Sequence, residues 1–405
     1  MIGATPLLLL PLLLACAREV QGSYYTYEAT LRIPDAKPLR DLPAFWSSTG
    51  FSAPSAQAAA EYLLSQEMEW NLAYIAASPR AAVRQVRAHW LLQLISASPH
   101  SSGWQWDFTL LDLFLDRLAL NGLEPGFEIM GNPRVEREAK GGEVTRPARP
   151  EPAERPPLIT NITEQEQLWV RLVRDTVIHC GGYMVYFRAT VRGLREAERV
   201  LGARLRLGGP AGTFKGRAHH PICWHILEHC DRLASRNLSC GLDFITFHRK
   251  GRASASSVTS DTVRLLDQFW RMFPHLRHLP FANDEADPLT GWWREEAWRA
   301  DGRYAGMVVN TVVDLQDQWR GRSGHRPALE ILSNDNGFLE TTPHHFQQRT
   351  LLSSFQLRGG RGRARGRDPP QLFRKSVLTA MAMLSFLEGE QIAVQLDSQV
   401  SPALA

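Results

Sequence analysis

Short apolar runs alternate along most of the chain with longer segments that return an apolar residue every third or fourth position. That alternation predicts a parallel α/β architecture. Seven runs read as strands: Phe45 to Gly50, Gln85 to Trp90, Gly126 to Met130, Arg204 to Gly208, Leu242 to His248, Leu279 to Asp284 and Ala328 to Ser333. Between them AEYLLSQEMEWNLAYIA, FTLLDLFLDRLALNG, SDTVRLLDQFWRMFP and YAGMVVNTVVDLQDQW read as amphipathic helices, several closing near Gly, Pro or a basic residue. His89, His248, Glu285 and Asp335 fall at or just beyond the carboxyl ends of these strands. In a (β/α)8 barrel that rim carries the active site, which makes these four the first candidates.

The rhythm breaks once. TEQEQLWVRLVRDTVI, opening with a capping box in Thr163 and Glu166, is followed after only HCGG by a second helix-like segment, YMVYFRATVRGLREAERVL. Two helices with no strand between them are what a barrel would show without its fourth strand. The stretch before them, residues 132–158, is charged and rich in Pro and Gly, and is expected to be an unstructured insertion.

Composition narrows the class. The 405 residues are 44% hydrophobic and 22% charged, an ordinary globular balance. The apolar run from Pro6 to Ala15, with small or neutral Val20 and Gly22 ahead of Ser23, reads as a signal peptide over residues 1–22. LLAC at residues 13–16 also fits a lipoprotein box, a reading ranked below simple secretion. No later segment is apolar enough to insert in a membrane. Cys180, Cys223, Cys230 and Cys240 are too few for a disulfide framework, and their pairing stays open. The triplets at Asn161 and Asn237 are N-glycosylation sequons, as expected on the secretory pathway. A net charge of +4 argues against a nucleic-acid partner, although the arginines of LRGGRGRARGRDPP, residues 357–370, would attract a polyanion.

Two stretches carry chemistry. In PFANDEADPLTGWW, residues 280–293, an apolar run ends in Asp284, Glu285 and Asp287 before a Pro-Leu-Thr-Gly turn, as expected for a carboxylate presented at a strand end. In HHPICWHILEHC, His225, Glu228 and His229 match the inverted zinc-protease spacing, with two histidines four apart on a helix beside a general base. Five residues make a weak pattern, and no third ligand accompanies them.

FWSSTGF, QVRAHWLL, LRLGGP, LDFITFHRKG, NDEADPLTGW, WRADGRYAGMVV, LSNDNGFL, HHFQQRTL and FRKSVLTAM follow one another in an order that resembles the lysosomal α-L-iduronidases of glycoside hydrolase family 39. The likeness runs from Pro43 to Glu388, interrupted near 132–182. It implies a (β/α)8 catalytic domain over residues 43–390, a short tail at 391–405 and no cofactor or metal. Its implied activity is hydrolysis of terminal iduronic acid from dermatan and heparan sulfates, sulfated glycosaminoglycans, with retention of configuration. By this resemblance Glu285 is the nucleophile. His89, His248, Lys250, Asp287, Asp335 and Arg349 are substrate contacts or their supports, and Gly291 and Trp292 line the pocket wall. Lys250 and Arg349 would meet the iduronate carboxylate.

One part of the pattern is absent. A retaining glycosidase needs two carboxylates roughly 5 Å apart, and the family's second is a glutamate in an Asn-Glu-Pro segment on the fourth strand. This chain contains no Asn-Glu pair. One contiguous deletion would remove the acid/base, the neighbouring Asn and the strand together, leaving activity impaired. An alternative is a non-catalytic binder of sulfated glycans that keeps Lys250, Arg349 and the arginine-rich loop.

Overall fold

A computed structural model describes residues 25–33, 38–53, 55–100, 103–131, 133–135, 179–217, 221–291, 296–320, 329–337, 350–355, 371–392 and 395–402. Seven parallel strands form its main sheet: β1 (Ser48–Phe51), β2 (Gln85–Ala88), β3 (Glu124–Phe127), β4 (Gly208–Gly212), β5 (Phe244–His248), β6 (Phe281–Glu285) and β7 (Leu329–Asn334). Their order is β3-β2-β1-β7-β6-β5-β4, so the first and last strands in sequence meet at β1 and β7. That is the closure of a barrel, and it leaves β3 and β4 as edges. No strand among the described residues lies between them, which is where the expected fourth strand of a complete barrel falls.

The sequence runs and the observed strands overlap at every position with one large shift. The run Arg204 to Gly208 predicts a strand whose observed counterpart is β4, Gly208–Gly212, starting at the last of those residues. Its GGPAG sequence has little strand character of its own. Glycine is required at Gly208 because a Cβ there would strike the Phe244 ring of the neighbouring strand. Ahead of it, Leu207 N donates to the Asp243 carboxylate and Leu207 O accepts from Asp243 N, so pairing with the neighbouring strand begins only at Leu207 and leaves the residues before it outside the sheet.

The expected helix from Ala60 to Ala76 is two helices, Ala59–Leu63 and Gln66–Ala76, because Ser65 Oγ accepts from Met68 N at 3.0 Å and caps the second. The helix Ala255–Met272 packs on Gly302–Arg320, and that on Ser376–Leu384. These and the remaining helices bury two apolar clusters against the sheet, one around Phe51, Leu72 and Val86, the other around Phe247, Phe269 and Phe281. The antiparallel pair Tyr25–Arg32 with Gln395–Pro402 joins the two ends of the described chain, so the expected tail takes part in a sheet.

The front of the expected insertion is also ordered, since Arg134–Val135 pairs with Ser96–Ala97. The rest of it lies outside the described residues, as do the leader, Asn161, the segment 163–178, Trp292, Arg349 and the arginine-rich loop. Cys230 and Cys240 form a disulfide, and Cys223 is free. No helix among the described residues is long and apolar enough to cross a membrane.

Candidate active site

Strand alternation places Arg87 and His89, two residues apart, on the same side of β2. Small residues on the neighbouring strands make room for the arginine: a Cβ on Gly50 of β1 would lie on Asp335 Oδ1 and 2.7 Å from Arg87 Nη2, and one on Gly126 of β3 would lie 3.3 Å from Arg87 Cα. The guanidinium meets Asp335, just past β7, at 2.5 Å and Glu128, the residue after β3. Its Nη1 also lies 3.8 Å from Glu285 Oε1.

Glu285 is the last residue of β6, where the ladder shifts register: Phe247 faces Asn283 while His248 faces Glu285. Such an irregularity re-aims a side chain. Here it lets Asn283 point outward to Thr262 while Asp284 and Glu285 both reach His248, each at 3.4 Å. Asn283 has a second task. Its side chain accepts from Arg249 N at 3.0 Å and donates to Arg249 O at 3.1 Å, clamping the loop that carries Lys250. Gly251 N donates to Asp287 O and Ala253 N to Pro288 O, both at 2.8 Å, stitching the same loop to the one after β6.

Lys250 Nζ therefore lies 2.7 Å from Glu285 Oε2, 3.1 Å from Asp287 Oδ2 and 3.2 Å from Asp335 Oδ2. His89 Nε2 lies 3.0 Å from Glu128 and 3.4 Å from Glu285, while its Nδ1 faces Ser52 Oγ. Buried Arg299 donates to Thr290 O at 2.9 Å and Gly291 O at 3.3 Å, holding the turn that places Gly291. The structure thus brings His89, His248, Lys250, Glu285, Asp287 and Asp335 into one cluster and sets Gly291 on the adjoining turn.

The electrostatics follow from burial and partners. Burial alone would neutralise Glu285, but the hydrogen bond from His89 and the charges of Lys250, His248 and Arg87 hold its carboxyl far below the usual range. Asp335, also buried, is held low by Lys250 and Arg87. Burial works against the His89 cation, yet hydrogen bonds to Glu128 and Glu285 outweigh it and raise its pKa to about 9. Asp284 differs: burial dominates over His248 and Arg87 and pushes its carboxyl up to about 6. The cluster thus presents an ionised carboxylate beside a carboxyl that keeps its proton in mild acid.

His89, Glu285 and Asp335 offer ligand atoms within 4.8 Å of one another. A metal there would have to displace Arg87 from Asp335 and Lys250 from Glu285, so the arrangement is an ion-pair cluster and not a metal centre. The zinc-like spacing finds no support. Glu228 pairs with Arg217 at 2.8 Å, and none of the metal-type groupings among the described residues includes His225 or His229.

The sequence profile of glycosyl hydrolases family 39 matches residues 29–146 and 174–404. The chain belongs to that family. The α-L-iduronidase of Canis lupus familiaris is 37% identical over 432 aligned positions, covering 96% of this chain and 60% of the relative. That of Mus musculus is 35% identical over 404, covering 89% and 58%. The solved structure of the bacterial orthologue of human α-L-iduronidase superposes with a TM-score of 0.64 at 25% identity, covering 91% of this chain and 60% of that one. The chain therefore spans about 60% of the length of these relatives.

Within this candidate site, Ser52, Arg87 and Glu128 touch the clustered side chains without being singled out from sequence, and so do the supporting Asn283 and Arg299. Arg87 was legible in principle, because a charge two positions before a candidate rim histidine shares its face of the strand. Glu128 follows the last residue of its strand, yet a single Glu in GFEIMG carries no motif.

Proposed function

We propose that the chain is a retaining glycoside hydrolase of the α-L-iduronidase type, acting on terminal iduronic acid of dermatan and heparan sulfates. The observation that carries this reading is Glu285 itself: an ionised carboxylate closing a barrel strand, bonded to Lys250 and flanked by His89 and His248. Glu285 attacks the anomeric carbon and forms a glycosyl ester as the glycosidic bond breaks, and water then hydrolyses that ester. His89, His248 and Asp335 bind sugar hydroxyls, while Lys250, with Arg349, receives the sugar carboxylate. Family membership and identities of 37% and 35% to the dog and mouse iduronidases support the substrate class.

The absent Asn-Glu pair leaves the leaving group without its protein proton donor, so natural glycosidic bonds are cleaved poorly. The dog alignment, at 432 positions, is longer than the 405-residue chain, in keeping with a segment present there and missing here. The product is a secreted or lysosomal glycoprotein cleaved before Ser23. Exposed Asn237, in a turn within the Cys230–Cys240 loop, is an accessible acceptor.

Turnover of an activated aryl iduronide tests the reading. Activity in the protein and its loss in Glu285→Gln are expected; equal activity in both would remove Glu285 as nucleophile.

A further inference from the structure

Three groups crowd one nitrogen. His89 Nε2 lies 2.8 Å from Arg87 Nη1, 3.0 Å from Glu128 Oε2 and 3.4 Å from Glu285 Oε1. The guanidinium is a donor only and stays charged. A neutral imidazole with its lone pair at Nε2 would accept from Arg87 but would turn that lone pair towards two carboxylates. An imidazolium would donate to them, at the cost of standing beside a second cation. Glu128 resolves the second arrangement, since its Oε1 takes the Arg87 Nη1 proton while its Oε2 faces His89 Nε2. One carboxylate bridges two cations. On the other side of the ring Ser52 Oγ faces Nδ1 and accepts from it in the charged form.

We propose that Glu128 is a positioning residue: by bridging Arg87 and His89 it holds the imidazole as a donor at Nε2, aimed at the nucleophile Glu285 and the sugar bound there. The role towards the sugar rests on the glycosidase reading; the charge state of the imidazole does not. The surrounding charges fit this arrangement. Arg87 spends its other nitrogen on Asp335 at 2.5 Å, and Lys250 and His248 approach Glu285 through Oε2, leaving Oε1 to His89 and Arg87. Glu128 itself is partly buried, which works against its charge, but it is held below the usual carboxylate range by Arg87 and His89, so it stays an anion and serves as their acceptor. A fixed Nε2–H at this place gives a sugar hydroxyl a donor and keeps Glu285 ionised in acid. Without Glu128 the ring would turn its lone pair to Arg87, reversing the polarity of the contact.

The test is the titration of the His89 ring, followed by NMR on histidine-labelled full-length protein and assigned by loss of the signal in His89→Gln. The expected midpoint in the unaltered protein is near 9. In Glu128→Gln, which keeps the shape but not the charge, it falls by a pH unit or more, about a tenfold loss of proton affinity. Glu128→Asp restores part of it. A midpoint at or below the ordinary histidine value in the unaltered protein overturns the proposal without any variant, and so does an unchanged midpoint in a folded Glu128→Gln. None of these readings needs turnover. A chain that cleaves no iduronide yet titrates as stated loses the function and keeps this inference, and one that cleaves iduronide with an ordinary His89 does the reverse.

Discussion

Asp284 and Glu285 are adjacent on one strand, yet both carboxyls reach the same imidazole, that of His248, at 3.4 Å. Regular pleating would send one of them outward. The register shift at the end of β6 prevents that and sets a proton-holding carboxyl next to an ionised one. Their difference comes from their partners. Glu285 meets Lys250 and His89 as well as His248, whereas buried Asp284 has His248 as its one close cation and only longer-range help from Arg87.

This difference makes Asp284 a measurable source of pH dependence. Its folded pKa of about 6 lies above its ordinary value of 3.8, so the folded protein binds its proton more tightly than the unfolded chain. Stability from that proton is fully present below 3.8 and is lost as pH rises through about 6. The loss is on the order of 2–3 kcal/mol at about 1.4 kcal/mol per unit. Asp284→Asn imitates the neutral form, so its advantage over the unaltered protein should grow between pH 4 and pH 7 and then level off. Urea unfolding of both proteins across that range checks it. Parallel curves would mean that Asp284 does not titrate there.

Gly50→Ala should damage the site from a position that makes no polar side-chain contact of its own. The added methyl falls on Asp335 Oδ1 and 2.7 Å from Arg87 Nη2, both buried and paired with each other. Overpacking of this kind costs about 1–3 kcal/mol. Thermal unfolding should show the loss, and affinity for iduronate should fall with it because Asp335 also holds Lys250.

The strands are legible because each apolar run is bounded by polar or turn residues, and the missing strand between β3 and β4 among the described residues falls where the sequence sets two helix-like segments in succession. β4 was misplaced because a Gly-Gly-Pro strand is dictated by its neighbour Phe244, and hydrophobic patterning does not report a close approach. Glu285 stands out by its place at the end of an apolar run, and the family resemblance names it the nucleophile; Lys250 comes from the resemblance alone, since a lysine in a loop carries no signal by itself. Glu128 escaped both routes. Its role exists only because β2 and β3 lie side by side, placing it against Arg87 and His89 across 41 and 39 positions of sequence.

Asn283→Ala should separate positioning from chemistry. The amide clamps Arg249 through two bonds at 3.0 and 3.1 Å, and the next residue, Lys250, approaches the nucleophile. Losing these bonds costs about 1–3 kcal/mol in stability. It should raise KM for a carboxylate-bearing sugar more than it lowers kcat for an activated one, because Glu285 keeps its strand position. An equal fall in kcat with KM unchanged would place Asn283 in the chemical step.

The chemistry left to the site predicts a dependence on the leaving group. On the proposed reading Glu285 would attack without help, but the departing oxygen of a natural glycoside needs a proton, and losing general-acid assistance is worth about 10²- to 10⁴-fold. An aryl iduronide with an acidic phenol leaves without it, so the ratio of aryl to natural turnover should rise by that factor over an iduronidase that has its acid/base. The second step suffers as well, because water must then attack the glycosyl ester without a dedicated base. The ester should accumulate, giving a burst of phenol followed by slow turnover. Azide, a small anion that attacks without losing a proton, should accelerate that slow phase and yield a glycosyl azide of retained configuration. Burst kinetics with and without azide, beside Glu285→Gln, measure each step. A missing burst together with no azide effect would mean that another residue supplies the proton, and Asp284, the neighbouring carboxyl that keeps its proton in mild acid, would be the first to replace.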